Sequence, residues 1–377
     1  MATVSREQDI GATDRDFGRA LTPPGWIFHD RSLYERELEE IFRRMWLVAG
    51  HHTRLSSPGD FFVVDVGPES VILAADGDGR PRAWHNFCRH RGTRLTSGGG
   101  NCRMFRCPYH NWAYGLDGSL IAAPGMDEGE GFDRGKFPLR EVRVETLDGF
   151  LFINLDPDAE PLADAYAGFP DLSGYDAAGL VRVGHHEYEV AANWKLICEN
   201  YNECYHCSLA HPALHRVSTY GELPEYDFVG RNFNGGPMGI KDGCNTLTVS
   251  GVTANPPLPG ISEQEKRMVQ YLNLYPNFLF SLAPDYVMAH YVWPRGPDSV
   301  YIETEWFCSP AQMEHPDFDA TDAIDFWDMT NRQDWALCEN AHRGLASSAH
   351  LPGPYHHSES GVHAFDRWYV QRMFGPL

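Results

Sequence analysis

Two short segments, each holding a cysteine close to a histidine, constrain this chain more than any other feature. Cys88-Arg89-His90 and Cys107-Pro108-Tyr109-His110 are separated by sixteen residues, and glycines surround both segments. Two thiolates and two neutral imidazoles can hold either a tetrahedral zinc ion or a cluster of two irons and two sulfides. The sequence therefore predicts a metal centre between two loops, and it favours metal ligation over a disulfide framework for the nine cysteines.

The order of the four ligands favours the iron-sulfur cluster over zinc. Zinc fingers usually group cysteine with cysteine and histidine with histidine, whereas mixed pairs suit a cluster in which each iron takes one ligand from each loop. The segment 84–118 resembles the Rieske domain of non-haem iron oxygenases. Respiratory-chain Rieske proteins carry a further cysteine in each loop, but Thr93 and Tyr109 stand in those places here. The resemblance is therefore to the oxygenase type.

Length and charge exclude several classes of protein. The 377 residues suggest about two domains. With 31 basic and 52 acidic residues, the formal net charge is -21, which disfavours nucleic acid and anionic membranes as partners. We see no apolar run long enough to span a bilayer and no apolar core of a signal peptide. A cytoplasmic location is expected.

Hydrophobic periodicity predicts a chain that mixes helices with antiparallel strands. It indicates helices over 32–45 and about 318–345, and strands over 61–66, 71–74, 83–87, 150–155, 271–282, 286–293 and 299–308. The family resemblance implies an α+β fold, in which an all-β Rieske domain precedes an antiparallel-sheet catalytic domain of the helix-grip type. We expect an N-terminal segment and helix at 1–46 that pack on the catalytic domain, the Rieske domain at 47–155 and the catalytic domain at 156–377.

A second cluster of metal-binding residue types follows at 193–211. The run reads as a helix in which Glu199, Glu203 and His206 share one side, because they are spaced by four and three residues. His206 and His211 cannot share that side equally well. Five residues turn an ideal helix by about 500°, which places the two side chains roughly 140° apart. A distortion or a helix end near 208–212 is needed to bring the two imidazoles together.

Two histidines and one carboxylate leave open positions on an iron(II) ion, as in non-haem iron oxygenases. The family resemblance assigns the carboxylate to Asp334, with Glu339 as the alternative. Cys204 and Cys207 form a C-x-x-C pair around His206. Small buried cysteines are the favoured interpretation of that pair, and a redox-active pair is the alternative.

The resemblance also implies how the two centres work together. A Rieske cluster passes one electron at a time, and we find neither a nucleotide-binding glycine motif nor the cysteine spacing of a plant-type ferredoxin. A flavin and iron-sulfur reductase or a ferredoxin is therefore expected as partner, with NAD(P)H oxidised there and O2 as co-substrate. Relatives form head-to-tail homotrimers in which an acid, here matched by Glu203, links a cluster histidine (His90 or His110) to His206 of the next chain. An α3β3 assembly is the alternative.

The residues around Glu203 also indicate a substrate class. Glutamate at the bridge position resembles the glycine betaine, stachydrine, carnitine and choline monooxygenases, and this resemblance extends from about Trp26 to Trp368. One departure is His342, where relatives tend to have glutamine. We expect monooxygenation of a quaternary ammonium or methylamine compound rather than dioxygenation. Aromatic-ring hydroxylation or O-demethylation is the alternative, and a stand-alone electron carrier is a third hypothesis.

Aromatic side chains are the natural partners of a quaternary ammonium group, because it has no proton to donate. The residue types make four of them candidates for substrate contacts, although an aromatic residue on a strand or helix is more often a core residue: Tyr201, Tyr205, Phe280 and Trp306.

Overall fold

The computed structural model describes residues 10–126, 131–219 and 228–375, so residues 1–9 of the expected N-terminal segment lie outside the described part. The chain forms two compact units. One comprises Phe42–Leu162, and the other comprises Met1–Ile41 with Ala163–Leu377. The boundaries between the units lie after residues 41 and 162. The domain boundaries expected from the sequence lie after residues 46 and 155.

The unit of Phe42–Leu162 is built from antiparallel β-strands. A seven-stranded sheet has the order β1-β10-β9-β4-β3-β2-β5, and β6, β7 and β8 form a smaller sheet. The strands are β1 (Leu47–His51), β2 (Asp60–Val66), β3 (Glu69–Ala75), β4 (Pro81–His85), β5 (Gly99–Asn101), β6 (Phe105–Arg106), β7 (Ala113–Tyr114), β8 (Leu120–Ala122), β9 (Glu141–Leu147) and β10 (Phe150–Asn154). The four strands predicted in this region are confirmed. Its core surrounds Cys88 and Cys107 with Trp84, Phe105 and Trp112.

The other unit combines a second seven-stranded antiparallel sheet with helices. The sheet has the order β11-β17-β16-β15-β14-β13-β12. Its strands are β11 (Val181–Val190), β12 (Phe228–Val229), β13 (Phe233–Gly239), β14 (Met268–Leu274), β15 (Phe278–Leu282), β16 (Val287–Gly296) and β17 (Ser299–Cys308). The helices of this unit are α1 (Arg31–Glu37), α2 (Leu162–Ala165, which begins at the last residue of the first unit), α3 (Trp194–Tyr201), α4 (Cys207–Ala210), α5 (Pro212–Val217), α6 (Pro310–Met313), α7 (Thr321–Leu345) and α8 (Ser360–Phe374).

Two predictions for this unit need correction. The run 271–282 is a hairpin rather than one strand, because β14 ends at Leu274 and pairs antiparallel with β15, which begins at Phe278. The first helix is α-helical over Arg31–Glu37 and continues as a π-helix over Leu38–Phe42, so it ends before residue 45. Asp30 starts this helix, since its side chain accepts hydrogen bonds from the backbone N–H groups of Ser32 and Leu33.

Helix α3 holds a central place in its unit. Its apolar side chains Trp194, Leu196, Ile197 and Cys198 are buried, and it contacts α7, α8 and β16. Asn193 caps the helix, because its side chain accepts the backbone N–H of Lys195. The residues that follow α3 are thereby held against the sheet. Among the helices of the described ranges, none has the length and apolar character that a bilayer span requires.

Candidate metal centres

The two cysteine–histidine loops have the same backbone construction. In each loop the N–H of the fourth residue after the cysteine donates to the cysteine carbonyl, from Gly92 to Cys88 at 2.9 Å and from Asn111 to Cys107 at 3.1 Å. Both closing residues have positive φ, 75° at Gly92 and 63° at Asn111. Glycine and asparagine are the residues that adopt this conformation most readily. The sequence therefore dictates two matched turns that present the four candidate ligands.

The cysteines and histidines of the two loops differ in burial, as the ligands of a Rieske cluster would. Cys88 and Cys107 are buried, while His90 and His110 are exposed with their ring centroids 4.6 Å apart. Burial and the neighbouring Cys107 raise the pKa of the Cys88 thiol, so a bound cation would be needed to hold this sulfur as a thiolate. A cluster held here would have its cysteine-bound iron inside and its histidine-bound iron at the surface. The residues present fit the group.

Two aromatic residues support these loops. Trp112 is buried and stacks on His90 with ring centroids 4.9 Å apart and an interplanar angle of 10°. The hydroxyl of Tyr114 accepts the backbone N–H of Arg89 at 2.9 Å and lies 3.3 Å from Sγ of Cys88. Its own proton is thus available to the sulfur. Tyr114 was not identified from the sequence, because nothing in its spacing distinguishes it from a core tyrosine.

The second centre forms where helix α3 ends. The predicted helix through residue 206 is wrong, because α3 ends at Tyr201 with Asn202 as its C-terminal cap. Residues 203–206 form a turn that Glu203 stabilises, since its carboxylate accepts the backbone N–H groups of Tyr205 and His206. His211 lies between α4 and α5, where Pro212 starts the next helix. The helix therefore ends before His206, and a second helix boundary follows at His211.

This break brings His206, His211 and Asp334 together. The two Nε2 atoms are 3.1 Å apart, and they lie 3.1 Å (His206) and 2.8 Å (His211) from Oδ1 of Asp334. Metal–ligand bonds of about 2.1 Å at right angles would separate neighbouring ligand atoms by about 3.0 Å. The three atoms therefore fit one face of an octahedral iron(II) site. Glu339, the alternative ligand, instead accepts the backbone N–H of Ala191 at 3.1 Å.

Both histidines are oriented through their other ring nitrogen. Nδ1 of His206 is hydrogen-bonded to Oε1 of Glu203, and Nδ1 of His211 lies 2.8 Å from Oε1 of Gln333. These acceptors fix the tautomer that turns Nε2 toward the metal position. Gln333 was missed by sequence reasoning, because a glutamine on a helix is usually solvated.

The charges around this centre favour a cation. Burial lowers the pKa of His206, but hydrogen bonds and charge from Asp334 and Glu203 outweigh it and raise that pKa to about 10. Burial opposes the ionisation of Asp334, yet the hydrogen bonds of His206 and His211 hold the pKa of this carboxyl below its usual value. The same negative potential would favour a bound metal ion.

Cys204 and Cys207 correct another expectation, since they are joined in a disulfide rather than standing as two small buried thiols. The turn of residues 203–206 places them on either side of His206 and within bonding distance. The other cysteines of the chain, Cys88 and Cys107 among them, are free.

A cavity of about 610 Å³ adjoins the three candidate iron ligands. Tyr201 and Tyr205 line it, and Tyr205 lies largely exposed and stacked on His356. Phe280 and Trp306 do not: both are buried core residues, Phe280 on β15 and Trp306 in a cluster with Met288 and Phe326. The sequence missed several lining aromatics that belong to distant elements, namely Tyr271, Trp327 and Trp335.

Family models match both units. Residues 45–145 match the Rieske [2Fe-2S] domain, and residues 177–375 match the catalytic domain of the ring hydroxylating alpha subunit. The chain belongs to the Rieske oxygenases. This confirms the family resemblance and the expected fold class. Its cofactors are a Rieske [2Fe-2S] cluster and a mononuclear iron in the catalytic domain.

Known proteins similar to this Rieske oxygenase over nearly its whole length act on quaternary ammonium compounds by name. The glycine betaine monooxygenase oxygenase subunit of Pseudomonas aeruginosa is 30% identical over 96% of this chain and 91% of that protein. The chloroplastic choline monooxygenase of Spinacia oleracea is 27% identical over 94% of this chain and 79% of that protein. The crystal structure of the quaternary ammonium Rieske monooxygenase CntA with L-carnitine superposes with a TM-score of 0.79 at 25% identity, covering 100% of this chain and 99% of that one.

Proposed function

We propose that this chain is a terminal oxygenase component that hydroxylates or N-demethylates a small quaternary ammonium or methylamine-type substrate. The observation that carries the proposal is the cavity beside His206, His211 and Asp334, whose walls present several aromatic faces. Hydroxylation of an N-methyl group gives an unstable product that breaks down to formaldehyde and the amine.

Aromatic rings from three elements surround the cavity. Tyr201 and Tyr271 meet edge to face with centroids 5.8 Å apart, and Tyr271 meets Trp327 at 6.3 Å. Each ring face turned toward a quaternary ammonium would contribute about 0.5–2 kcal/mol. In the described lining, the carboxylates are those of Glu203 and Asp334. A bound iron(II) ion would offset these two charges, so the aromatic faces would carry the recognition of a cationic substrate.

The remaining wall suits the methyl groups of such a substrate. Leu214, Met238 and Met288 present apolar side chains, and Met side chains adapt to irregular shapes. This wall would hold a methyl carbon near the iron position. The apolar wall also suits an aromatic substrate, which makes ring hydroxylation or O-demethylation the competing function.

Seven of the site residues would hold the metals, and two others would orient the ligand histidines. Cys88, His90, Cys107 and His110 would hold the cluster, and His206, His211 and Asp334 would hold the iron. When bound, these groups supply electron transfer and the activation of dioxygen. Gln333 and Glu203 keep the two imidazoles in place by accepting their Nδ1–H groups.

Electrons would come from a separate flavin and iron-sulfur reductase or a ferredoxin. His90 and His110 are exposed, and this supports a role as the surface through which electrons enter or leave. We further propose a homotrimer in which Glu203 links His206 of one chain to His90 or His110 of the next. An α3β3 assembly is the alternative. Sedimentation and mass measurements would distinguish it from the homotrimer.

Turnover with two compound classes tests the substrate proposal. The reconstituted oxygenase with a reductase is given choline, glycine betaine, carnitine and stachydrine, and separately naphthalene and O-methylated aromatic acids. We expect oxygen uptake matched by an identified hydroxylated or demethylated product for an ammonium compound. Product from the aromatic compounds alone would overturn the proposal.

A neutral analogue gives a sharper control for the role of charge. Replacing the quaternary nitrogen of the best substrate by carbon keeps its shape but removes the cation. If cation–π contacts recognise the substrate, kcat/KM should fall by roughly tenfold or more, since 1.4 kcal/mol corresponds to a factor of ten. Equal kcat/KM values for both compounds would show that shape alone is recognised.

A further inference from the structure

Two histidines and one carboxylate also meet at a second place in the catalytic unit. His29 follows the 3-10 turn Gly25–Phe28, Asp298 lies in the turn between β16 and β17, and His342 lies on α7. Oδ1 of Asp298 is 3.5 Å from Nδ1 of His29 and 3.2 Å from Nε2 of His342. His342 is eight residues beyond Asp334, about 12 Å farther along the same helix.

We propose that His29, Asp298 and His342 form a binding site for a first-row divalent cation, with zinc as the leading candidate. Two imidazoles with one carboxylate suit zinc, nickel or copper, whereas magnesium and calcium prefer oxygen ligands alone. This proposal does not depend on the proposed substrate or reaction.

The spacing of the ligand atoms fits a tetrahedral ion. Zinc bonds of about 2.0–2.1 Å at tetrahedral angles separate neighbouring ligand atoms by about 3.3–3.4 Å. The measured separations of 3.5 Å and 3.2 Å lie on either side of this value. The candidate ligand atoms of the three residues all lie within 4.8 Å of one another. Binding therefore needs only small movements of the side chains.

A buried amide holds the two loop ligands in place. The side-chain NH2 group of Asn193 donates to the carbonyls of Phe28 at 3.1 Å and Pro297 at 2.9 Å. Phe28 directly precedes His29, and Pro297 directly precedes Asp298. Asn193 is only 1% exposed. One rigid residue thus fixes the backbone before each of these ligands, which is what a preorganised metal site requires.

The third ligand is fixed to the same segment by close packing. A Cβ atom placed on Gly25 would lie 2.2 Å from the carbonyl oxygen of Leu345, so the backbone before His29 touches the end of α7. The ring centroids of His29 and His342 lie 4.1 Å apart. A metal ion here would fasten the N-terminal segment to the helix that also carries Asp334.

Access from solvent is provided on one side of the site. His342 is buried, His29 is partly buried and the Asp298 side chain is 69% exposed. Nε2 of His29 and Nδ1 of His342 are buried without hydrogen-bond partners among the described residues. The polar interactions of both rings therefore converge on Asp298, and a water molecule could complete the tetrahedron from the exposed side. The alternative is a metal-free hydrogen-bonded trio.

Metal counting on the iron-loaded oxygenase separates these alternatives. The protein is dialysed against zinc buffers of increasing free zinc, and iron and zinc per chain are measured by mass spectrometry. We expect one zinc per chain to be bound while the iron content stays constant. Failure to retain zinc, or uptake of zinc only in exchange for iron, would overturn the proposal.

Substitutions locate the zinc. His29→Asn and His342→Gln should each weaken zinc binding by roughly tenfold or more without changing the iron content, because each removes one of three ligands. His315→Gln, a histidine outside this cluster, is the matched control and should bind zinc like the wild type. Unchanged zinc affinity in both ligand variants would place the zinc elsewhere.

Thermal unfolding provides a second readout that does not depend on activity. Zinc should raise the Tm of the wild type and of His315→Gln but not that of His342→Gln. Asp298→Asn serves if a histidine variant does not fold, since Asp298 is exposed. A metal-free trio predicts that zinc leaves the Tm of all these proteins unchanged.

Discussion

Gln333 and Asp334 are consecutive residues of α7, and they hold the His211 ring from both sides. Oε1 of Gln333 lies 2.8 Å from Nδ1 of His211, and Oδ1 of Asp334 lies 2.8 Å from Nε2 of the same ring. Successive side chains on a helix project about 100° apart. This angle lets one helix supply both a metal ligand and the residue that orients another ligand.

Replacing Gln333 should therefore weaken iron binding without removing a ligand. In Gln333→Leu, His211 loses the acceptor of its Nδ1–H, and we expect iron affinity to fall by about 10–100-fold. Iron retained after dialysis against a graded series of chelator concentrations measures this change. Gln264→Leu, an exposed residue elsewhere on the catalytic unit, is the control. Equal iron retention in both variants would contradict the orienting role.

Asp334 and Glu339 can be separated as third ligands. Asp334→Asn should lower the iron content from about three per chain to about two, since the cluster keeps its two irons. Glu339→Gln should keep all of the iron, because Glu339 contacts the backbone of Ala191 instead. Total iron together with the visible spectrum of the cluster distinguishes the outcomes. Iron loss in Glu339→Gln alone would make Glu339 the ligand.

The sequence predicts the centres better than it predicts their surroundings. The cysteine–histidine spacing and the family resemblance point to the same residues that the turns and helix ends bring together. Local periodicity could not place the end of α3, because the residues after Tyr201 have no glycine or proline until Pro212. There the Glu203 carboxylate competes with the helix for backbone N–H groups.

The cavity was the hardest part to foresee from the sequence. Besides Tyr201 and Tyr205, its aromatic walls come from β14 and α7, which are distant in sequence from His206 and become neighbours only through the fold. Phe280 and Trp306 lie on strands of the same sheet as the lining residues Tyr271 and Met288. Only the register and the packing of α7 decide which face of the sheet meets the cavity.

Glu203 orients His206, and in our proposal it also links His206 to the cluster of the next chain; different substitutions should separate these two roles. Glu203→Gln keeps one acceptor oxygen, which can serve Nδ1 of His206, but it loses the negative charge and its NH2 group cannot accept from the turn amides. We expect iron to remain bound while product formation falls by about 100-fold or more. Glu203→Ala loses the acceptor as well and should also lose iron. Steady-state turnover and iron content are measured together, and near wild-type turnover in Glu203→Gln would exclude the bridging role.

Tyr114 should tune the reduction potential of the cluster. Its hydroxyl is positioned to donate to Sγ of Cys88, and a hydrogen bond to a cluster sulfur stabilises the reduced, more negative state. Removing a hydrogen bond worth about 0.5–1.5 kcal/mol should lower the potential by about 20–60 mV in Tyr114→Phe. A redox titration followed by paramagnetic resonance measures this shift. An unchanged potential would mean that the hydroxyl serves only the Arg89 backbone.

The N-terminal helix is attached to its unit by a buried ion pair. Glu37 on α1 is fully buried and accepts from Nζ of Lys195 at 2.5 Å, from Nε1 of Trp194 at 2.9 Å and from the Tyr369 hydroxyl at 2.5 Å. Lys195→Met would leave this carboxylate without its cation, and we expect a loss of about 3–5 kcal/mol in the free energy of unfolding.

A second substitution tests the cause of that loss. In the double variant Glu37→Gln and Lys195→Met, the buried charge is gone, the Gln carbonyl can accept from Trp194, and its NH2 group can donate to the Tyr369 hydroxyl. Stability should recover by a large part of the initial loss, because an uncompensated buried charge rather than lost packing is the main cost. Denaturant unfolding of wild type, both single variants and the double variant gives the coupling energy. Additive losses in the double variant would show that Lys195 stabilises the unit through packing alone.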